Sequence, residues 1–384
     1  MNFEFFGSTQ IVFGCGALSQ LGGMAKSCGK NAIVVTGSGS INALQLTDLL
    51  ADQGLSFTQF KVVGEPSILV ATQAASLAKE ANADFVIGFG GGSVIDCAKA
   101  VSAMITNPGT LLDYLEVVGK NQPLIRPGAP VIAIPTTAGT GSEVTRNSVL
   151  SVPGEKVKVS LRSVNILPRI ALVDPYLTVT MPPSVTASSG MDAFTQLLES
   201  YLTPRANIIT DQLSIVGLEH IAQSILQAYQ DGQDIKARED MSLGSLLSGM
   251  TLTNAGLGVV HGFAGPIGGL YNAPHGTICA SLLVSSMKIN LSKLQKLDPH
   301  HPALSRFIEV SRILTGNKQA KVEDGLVWIT SLSKKLDIPR LSSLGIKKSD
   351  FDLIIEKSSR SSSMKGNPVQ LSREDLYQIL EDAL

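Results

Sequence analysis

The stretch that most limits the fold is Asp84-Phe-Val-Ile-Gly88-Phe-Gly90-Gly91-Gly92-Ser93, which runs straight into Val94-Ile-Asp96-Cys97-Ala-Lys99-Ala-Val-Ser-Ala-Met104. An apolar run ended by glycines and followed at once by a helical pattern reads as buried strand, tight loop and helix. Glycines permit close backbone approach, and the helix N-terminus offers free N–H groups and the positive end of its dipole to a phosphate. A strand-to-helix turn without any ligand is the plainer alternative. Three consecutive glycines followed by a serine favour the phosphate, so Gly90, Gly91, Gly92 and Ser93 are candidate cofactor contacts. The spacing departs from GxGxxG, whose third glycine would fall on Ser93.

The same strand-and-helix alternation recurs along the first half. Asn31-Ala-Ile-Val-Val-Thr36 is an apolar run ending in Gly37-Ser38-Gly39-Ser40, a loop able to present backbone amides and hydroxyls. A second strand is expected over 56–63 and a helix over 70–83. Val131-Ile-Ala-Ile-Pro135 opens into a loop dense in hydroxyls and glycines, with Thr136, Thr137, Thr140 and Ser142 as candidate contacts for sugar and phosphate. Ile170-Ala-Leu-Val-Asp174-Pro175 is the last strand. After Met181-Pro182-Pro183 the periodicity becomes helical throughout. Helices are expected near 184–202, 207–230, 236–255, 257–265, 278–290, 303–315, 320–336 and 348–358, with a last one from Ser372. The domain boundary therefore falls near 182, giving domains of 1–182 and 183–384.

Two of the five histidines, His261 and His275, lie in a stretch otherwise apolar or rich in Gly and Pro. On an unbroken helix they would stand about 21 Å apart, too far for one metal ion. Pro266, Pro274 and the Gly268-Gly269 pair predict a chain reversal between them, which lets both imidazoles converge. A pair of satisfied core histidines is the competing reading. Gly190-Met191-Asp192-Ala-Phe-Thr-Gln196 supplies a carboxylate, with Asp192 and Gln196 on one helical face.

These stretches resemble the metal-binding helices of the iron-containing (group III) alcohol dehydrogenases, which read Gly-Met-Asp-Ala-x-x-His and His-x-x-x-His…Pro-His-Gly. The resemblance extends to Gly90-Gly-Gly-Ser-x-x-Asp96-x-Ala-Lys99 and to Pro135-Thr-Thr-Ala-Gly-Thr-Gly-Ser-Glu-Val-Thr145, and covers almost the whole chain. It implies an α/β N-terminal dinucleotide-binding domain, an all-α C-terminal domain and a metal in the cleft between them, the fold shared with dehydroquinate synthases. It implies Asp192, His261 and His275 as metal ligands, of iron or zinc, with catalysis centred on the same three. Asp96 and Lys158 fall where the family keeps cofactor-side residues, a solvated surface lysine being the alternative for Lys158. Two positions depart from the pattern. The family's fourth ligand, a histidine, is Gln196 here and offers a neutral amide oxygen; the histidine four after the first ligand is Gly265.

The expected activity is reversible hydride transfer between NAD(P) and a small alcohol or carbonyl. NADP(H) is the expected preference, because Gly37 stands where NAD-preferring relatives carry an aspartate that repels a 2′-phosphate. A degenerate or maleylacetate reductase-like member, and a dehydroquinate synthase-like lyase, stay open as alternatives. Charged residues make up 16% of the chain and the net charge is −1, with no basic run, so neither nucleic acid nor an anionic membrane surface is an expected partner. No apolar stretch reaches the length of a membrane span and the N-terminus lacks a signal-peptide pattern. Four scattered cysteines without a CxxC fit a reducing cytoplasm. A homodimer is the expected assembly.

Overall fold

The structure is a computed structural model that describes residues 2–7, 9–38 and 43–384. The chain divides into two compact units. One comprises Gly7–Thr137 with Gly141–Thr180, and the other Met181–Leu384 with Met1–Phe6 and Ala138–Thr140.

The first unit carries strands β1 (Gln10–Phe13), β2 (Asn31–Gly37), β3 (Ser56–Val62), β4 (Phe85–Gly90), β5 (Val131–Pro135), β6 (Asn147–Val152), β7 (Val157–Arg162) and β8 (Ile170–Val173). Its helices are α1 (Leu21–Lys26), α2 (Ala43–Ala51), α3 (Ile68–Glu80), α4 (Gly92–Thr106) and the single turn α5 (Leu111–Tyr114). Six strands form one sheet in the order β1-β8-β5-β4-β2-β3, and every pair in it is parallel. Side chains alternate between its faces. Ile33, Val35, Val86, Val131 and Ala133 pack with α3 and α4, while Ala32, Val34, Phe85, Ile87 and Ile132 pack with α1 and α2. Helices thus cover both faces, which is why the central strands read as unbroken apolar runs.

From β2 the chain goes outward to β3 and then returns to the opposite side of β2 as β4. Such a reversal leaves a crevice at the carboxyl ends of the two strands, where ligands of open α/β sheets bind. Close packing keeps that edge tight. A Cβ on Gly88 would lie 2.9 Å from the Ala98 methyl, and one on Gly90 would lie 2.6 Å from Val94, so α4 can press against β4 only with glycine at both. Helix α3 starts two residues earlier than the periodicity suggests, because the Ser67 hydroxyl accepts from the Val70 amide at 3.2 Å and caps it. The antiparallel hairpin of β6 and β7 escapes a reading built on strand–helix alternation.

The second unit is helical: α6 (Pro183–Leu202), α7 (Ile208–Gln230), α8 (Ile235–Ala255), α9 (Val259–Tyr271), α10 (His275–Leu297), α11 (Pro302–Thr315), α12 (Val322–Lys335), α13 (Phe351–Ser359) and α14 (Arg373–Ala383). One apolar core runs through it, including Phe194, Leu197, Val260, Phe263 and Leu283. Helices α9 and α10 both run past their expected ends, at 265 and 290. Pro266 and the Gly268-Gly269 pair do not end α9, which continues to Tyr271. Val260, Phe263, Ala264 and Ile267, spaced as one helical stripe, are all wholly buried, and that burial outweighs the lost backbone bond. The reversal comes instead at Asn272, which is left-handed with φ 50°, and at Pro274 just before α10. Among the described residues no single helix is long and apolar enough to cross a membrane.

Candidate active site

Three helices of the second unit converge on one polar pocket. Asp192 lies mid-helix on α6, 1% exposed. His261 sits in the first turn of α9 and His275 is the first residue of α10. The Asp192 Oδ1 atom is 3.2 Å from His261 Nε2 and 3.7 Å from His275 Nε2, and the two imidazole centroids are 5.4 Å apart. Close approach of α10 to α6 requires Gly276, since a Cβ there would lie 2.4 Å from the Ser188 carbonyl oxygen.

Electrostatics in the pocket favour positive charge. Burial works to raise the Asp192 carboxyl, but the neighbouring His275 and His261 outweigh it and hold the group below the usual carboxylate range. Burial works to lower His261, yet Cys279, Asp192 and Glu199 together push it well above the usual imidazole range. The same opposition, with Cys279 and Asp192 prevailing, raises His275. A pocket that would otherwise collect protons on two adjacent imidazoles is one a divalent cation fits. Spacing agrees: donors bound at about 2.0–2.3 Å with tetrahedral angles lie roughly 3.3–3.6 Å from one another. Asp192, His261, His275 and Cys279 each offer an atom within 4.8 Å of the others.

Two members of this site carried no role in the sequence reading. Glu199, buried one further turn pair along α6, accepts from the Val260 amide with Oε1 at 2.7 Å and places Oε2 2.7 Å from His261 Nδ1. It therefore anchors the first turn of α9 and fixes the imidazole so that Nε2 faces Asp192. Its seven-residue spacing from Asp192 was the available signal. Cys279 follows His275 by one helical turn, and its Sγ lies 3.7 Å from His275 Nε2.

Gln196 is buried beside Asp192 on α6. Its Oε1 accepts from the Ser248 hydroxyl at 2.9 Å, and its Nε2 donates toward Asp192 Oδ2 at 3.4 Å. In this orientation the amide steadies the carboxylate. At Gly265 an added Cβ would meet nothing within 4 Å, so that position leaves open space.

Several of the expected cofactor residues lie at the carboxyl edge of the sheet. Gly37 ends β2 and Ser38 follows it; Gly90 ends β4, Gly91 caps α4, and Gly92 and Ser93 form its first turn; Thr136 and Thr137 follow β5. Ser40 lies outside the described residues. Thr136 donates its amide to the Gly90 carbonyl at 3.0 Å, tying the two loops together. Asp96 joins them further: Oδ1 accepts from Ser142 Oγ at 2.5 Å and lies 3.0 Å from Lys99 Nζ, while Oδ2 accepts from the Val149 amide at 3.0 Å. Lys99, wholly buried, also donates to the Ser142 carbonyl and Thr145 hydroxyl. Burial pushes the nearby Glu143 carboxyl up to about 7. Lys158, on β7, is paired with Glu65 at 2.6 Å. Thr140 belongs to the helical unit, where Gly139 packs so closely on α6 that a Cβ would lie 2.6 Å from the Ser189 side chain.

A parallel sheet with a glycine loop at its topological switch, in one chain with a helical unit bearing a carboxylate–imidazole cation pocket, fits the class of proteins that bind a dinucleotide and a divalent metal. Residues 8–175 match the family model for iron-containing alcohol dehydrogenase, and residues 186–384 match that for the C-terminal part of the Fe-containing alcohol dehydrogenase family. The chain belongs to the iron-containing alcohol dehydrogenase family and is an NAD(P)-dependent alcohol dehydrogenase. It is 34% identical to alcohol dehydrogenase 4 of Saccharomyces cerevisiae, over 97% of this chain and 96% of that one. An NAD-dependent methanol dehydrogenase from Bacillus methanolicus is 31% identical, over 99% of this chain and all of its own. An NADPH-dependent butanol dehydrogenase from Clostridium saccharobutylicum is 33% identical, over 97% and 95%. The fold is that of a crystal structure of 1,3-propanediol oxidoreductase, at a TM-score of 0.91 and 31% identity with full coverage of both chains.

Proposed function

We propose that the chain interconverts a small aldehyde or ketone and its alcohol at a divalent metal held by Asp192, His261 and His275, with NADP(H) as the preferred cofactor. The observation that carries the reading is the Asp192 carboxylate with both imidazole Nε2 atoms at 3.2 and 3.7 Å. When bound, the ion polarises the substrate carbonyl and lowers the pKa of the alcohol, and the nicotinamide supplies the hydride chemistry.

The chain's own residues do the holding and orienting. Glu199 accepts the Nδ1 proton of His261, which frees the Nε2 lone pair for the cation. Gln196 and Ser248 act in series as positioning residues, because the hydroxyl fixes the amide and the amide fixes Asp192. His275, with its side chain 35% exposed, is the open side where substrate approaches. The empty space at Gly265 enlarges that side and leaves the substrate oxygen to exchange its proton with water. Backbone amides of Gly91, Gly92 and Ser93 at the start of α4 receive the pyrophosphate, with Thr136, Thr137, Thr140 and Ser142 for the sugar and phosphate edge. Asp96 positions the glycine loop against the Ser142 turn, and Lys158 with Glu65 holds the hairpin. NADP(H) preference is supported by Gly37 and Ser38, which bring no carboxylate against a 2′-phosphate.

Zinc or iron fits the donor set chemically; a homodimer completes the proposal, in a reducing cytoplasm with which the lack of disulfides among the described residues agrees. Replacement of Asp192 by Asn tests the centre. It removes the charge while keeping the shape, so bound metal and aldehyde-dependent NADPH oxidation should fall together by at least about a hundredfold. Full metal content and full activity in Asp192→Asn would refute the reading.

A further inference from the structure

Cys279 has no part in the site as proposed so far. It is wholly buried and sits one turn after His275, on the same face of α10. A buried cysteine ordinarily serves as a small hydrophobe among apolar side chains. This one faces a carboxylate and two imidazoles instead: its Sγ is 3.7 Å from His275 Nε2 and within 4.8 Å of donor atoms of Asp192 and His261. Gln196, at the place of the family's remaining imidazole, has its oxygen engaged by Ser248.

We propose that Cys279, as a thiolate, is the fourth ligand of the metal centre, which makes the set one carboxylate, two imidazoles and one sulfur, and that it biases the site toward zinc over iron. The inference rests on the reading of Asp192, His261 and His275 as metal ligands. The distances support it: 3.2 Å from Asp192 to His261, 3.7 Å from Asp192 to His275 and 3.7 Å from His275 to Cys279 are edges of one donor polyhedron. They lie close to the roughly 3.3–3.6 Å expected between tetrahedral donors when one is sulfur. Metal binding releases the thiol proton to solvent, and the thiolate and carboxylate together balance a divalent charge. Thiolate is the softer donor, and it favours zinc more than the carboxylate, amide or water that would otherwise complete the set. The chain has therefore moved its fourth donor from α6 to α10.

The test is cobalt(II) reconstitution of the full-length protein after metal removal. The parent should show visible bands of low-symmetry cobalt together with a near-ultraviolet thiolate-to-cobalt charge-transfer band. Cys279→Ser should keep the visible bands, lose the charge-transfer band and bind zinc at least about tenfold more weakly. Its ratio of zinc to iron(II), taken up from an equimolar mixture under argon, should fall. Cys97→Ser, which alters a buried thiol in the other unit, should keep the charge-transfer band. Visible bands without charge transfer in the parent, or charge transfer unchanged in Cys279→Ser, would overturn the inference and leave the three-ligand reading intact. An unchanged zinc-to-iron ratio would overturn its selectivity half. A parent that binds no cobalt would overturn both readings. The parent spectrum decides the ligand even if the serine variant fails to fold.

Discussion

Gly37 closes β2 at the carboxyl edge of the sheet, on the strand beside which the chain reverses direction. On the proposed cofactor reading, this position lies at the adenosine end of the dinucleotide. An aspartate at this position would accept from the ribose hydroxyls and repel a 2′-phosphate; glycine does neither. Gly37→Asp is therefore expected to move the ratio of kcat/KM for NADPH over NADH toward NADH by at least about tenfold, roughly one unfavourable charge contact. Steady-state kinetics with both cofactors reads this directly. A parent that already favours NADH strongly would defeat the claim. The residue scale also shows how different jobs hide behind similar letters. Asp192 and Asp96 are both acidic residues on helices, but one faces two imidazoles and the other is filled by Ser142, Lys99 and the Val149 amide.

At the scale of elements, the site depends on how closely α10 lies against α6. Gly276 sets that distance, because a Cβ would meet the Ser188 carbonyl at 2.4 Å and the Asp192 Cβ at 3.3 Å. Gly276→Ala removes no donor, yet it must push the start of α10 outward and carry His275 and Cys279 with it. Metal affinity, measured by competition with a chromophoric chelator, is expected to drop at least about tenfold while the protein stays folded. Unchanged affinity would show that the helices are not held to this spacing. Much of this arrangement was legible beforehand. Helices α6, α7, α8 and α11 start and end within a residue or two of the sequence expectation, since apolar periodicity and terminal Pro, Asn, Asp and Gly mark their limits. Helix α9 was not, because burial of its Val260–Ile267 stripe is a tertiary effect that overrides Pro266. The hairpin of β6 and β7 is harder to read because β6, Asn147-Ser-Val-Leu-Ser-Val152, lacks regular alternation, although Val157-Lys-Val-Ser-Leu-Arg162 of β7 alternates apolar and polar residues.

For the whole molecule, the sequence identified what a site must contain better than how the site is completed. Asp192, His261 and His275 were readable from motif and spacing, and the structure brings them together. Glu199 and Cys279 were not assigned, because their roles exist only once α6, α9 and α10 share a pocket. Gln196 is expected to offer its oxygen to the metal, and in the structure that oxygen lies 2.9 Å from the hydroxyl of Ser248 on α8. The proposed catalysis runs through a single cation held in this pocket. Its most direct test is stoichiometric reactivation: the purified protein is stripped with a chelator, and aldehyde-dependent NADPH oxidation is followed as zinc or iron(II) is titrated back anaerobically. Near-zero activity is expected in the stripped protein, with a linear recovery that ends sharply at one metal ion per chain. Full activity in the metal-free protein would contradict this reading.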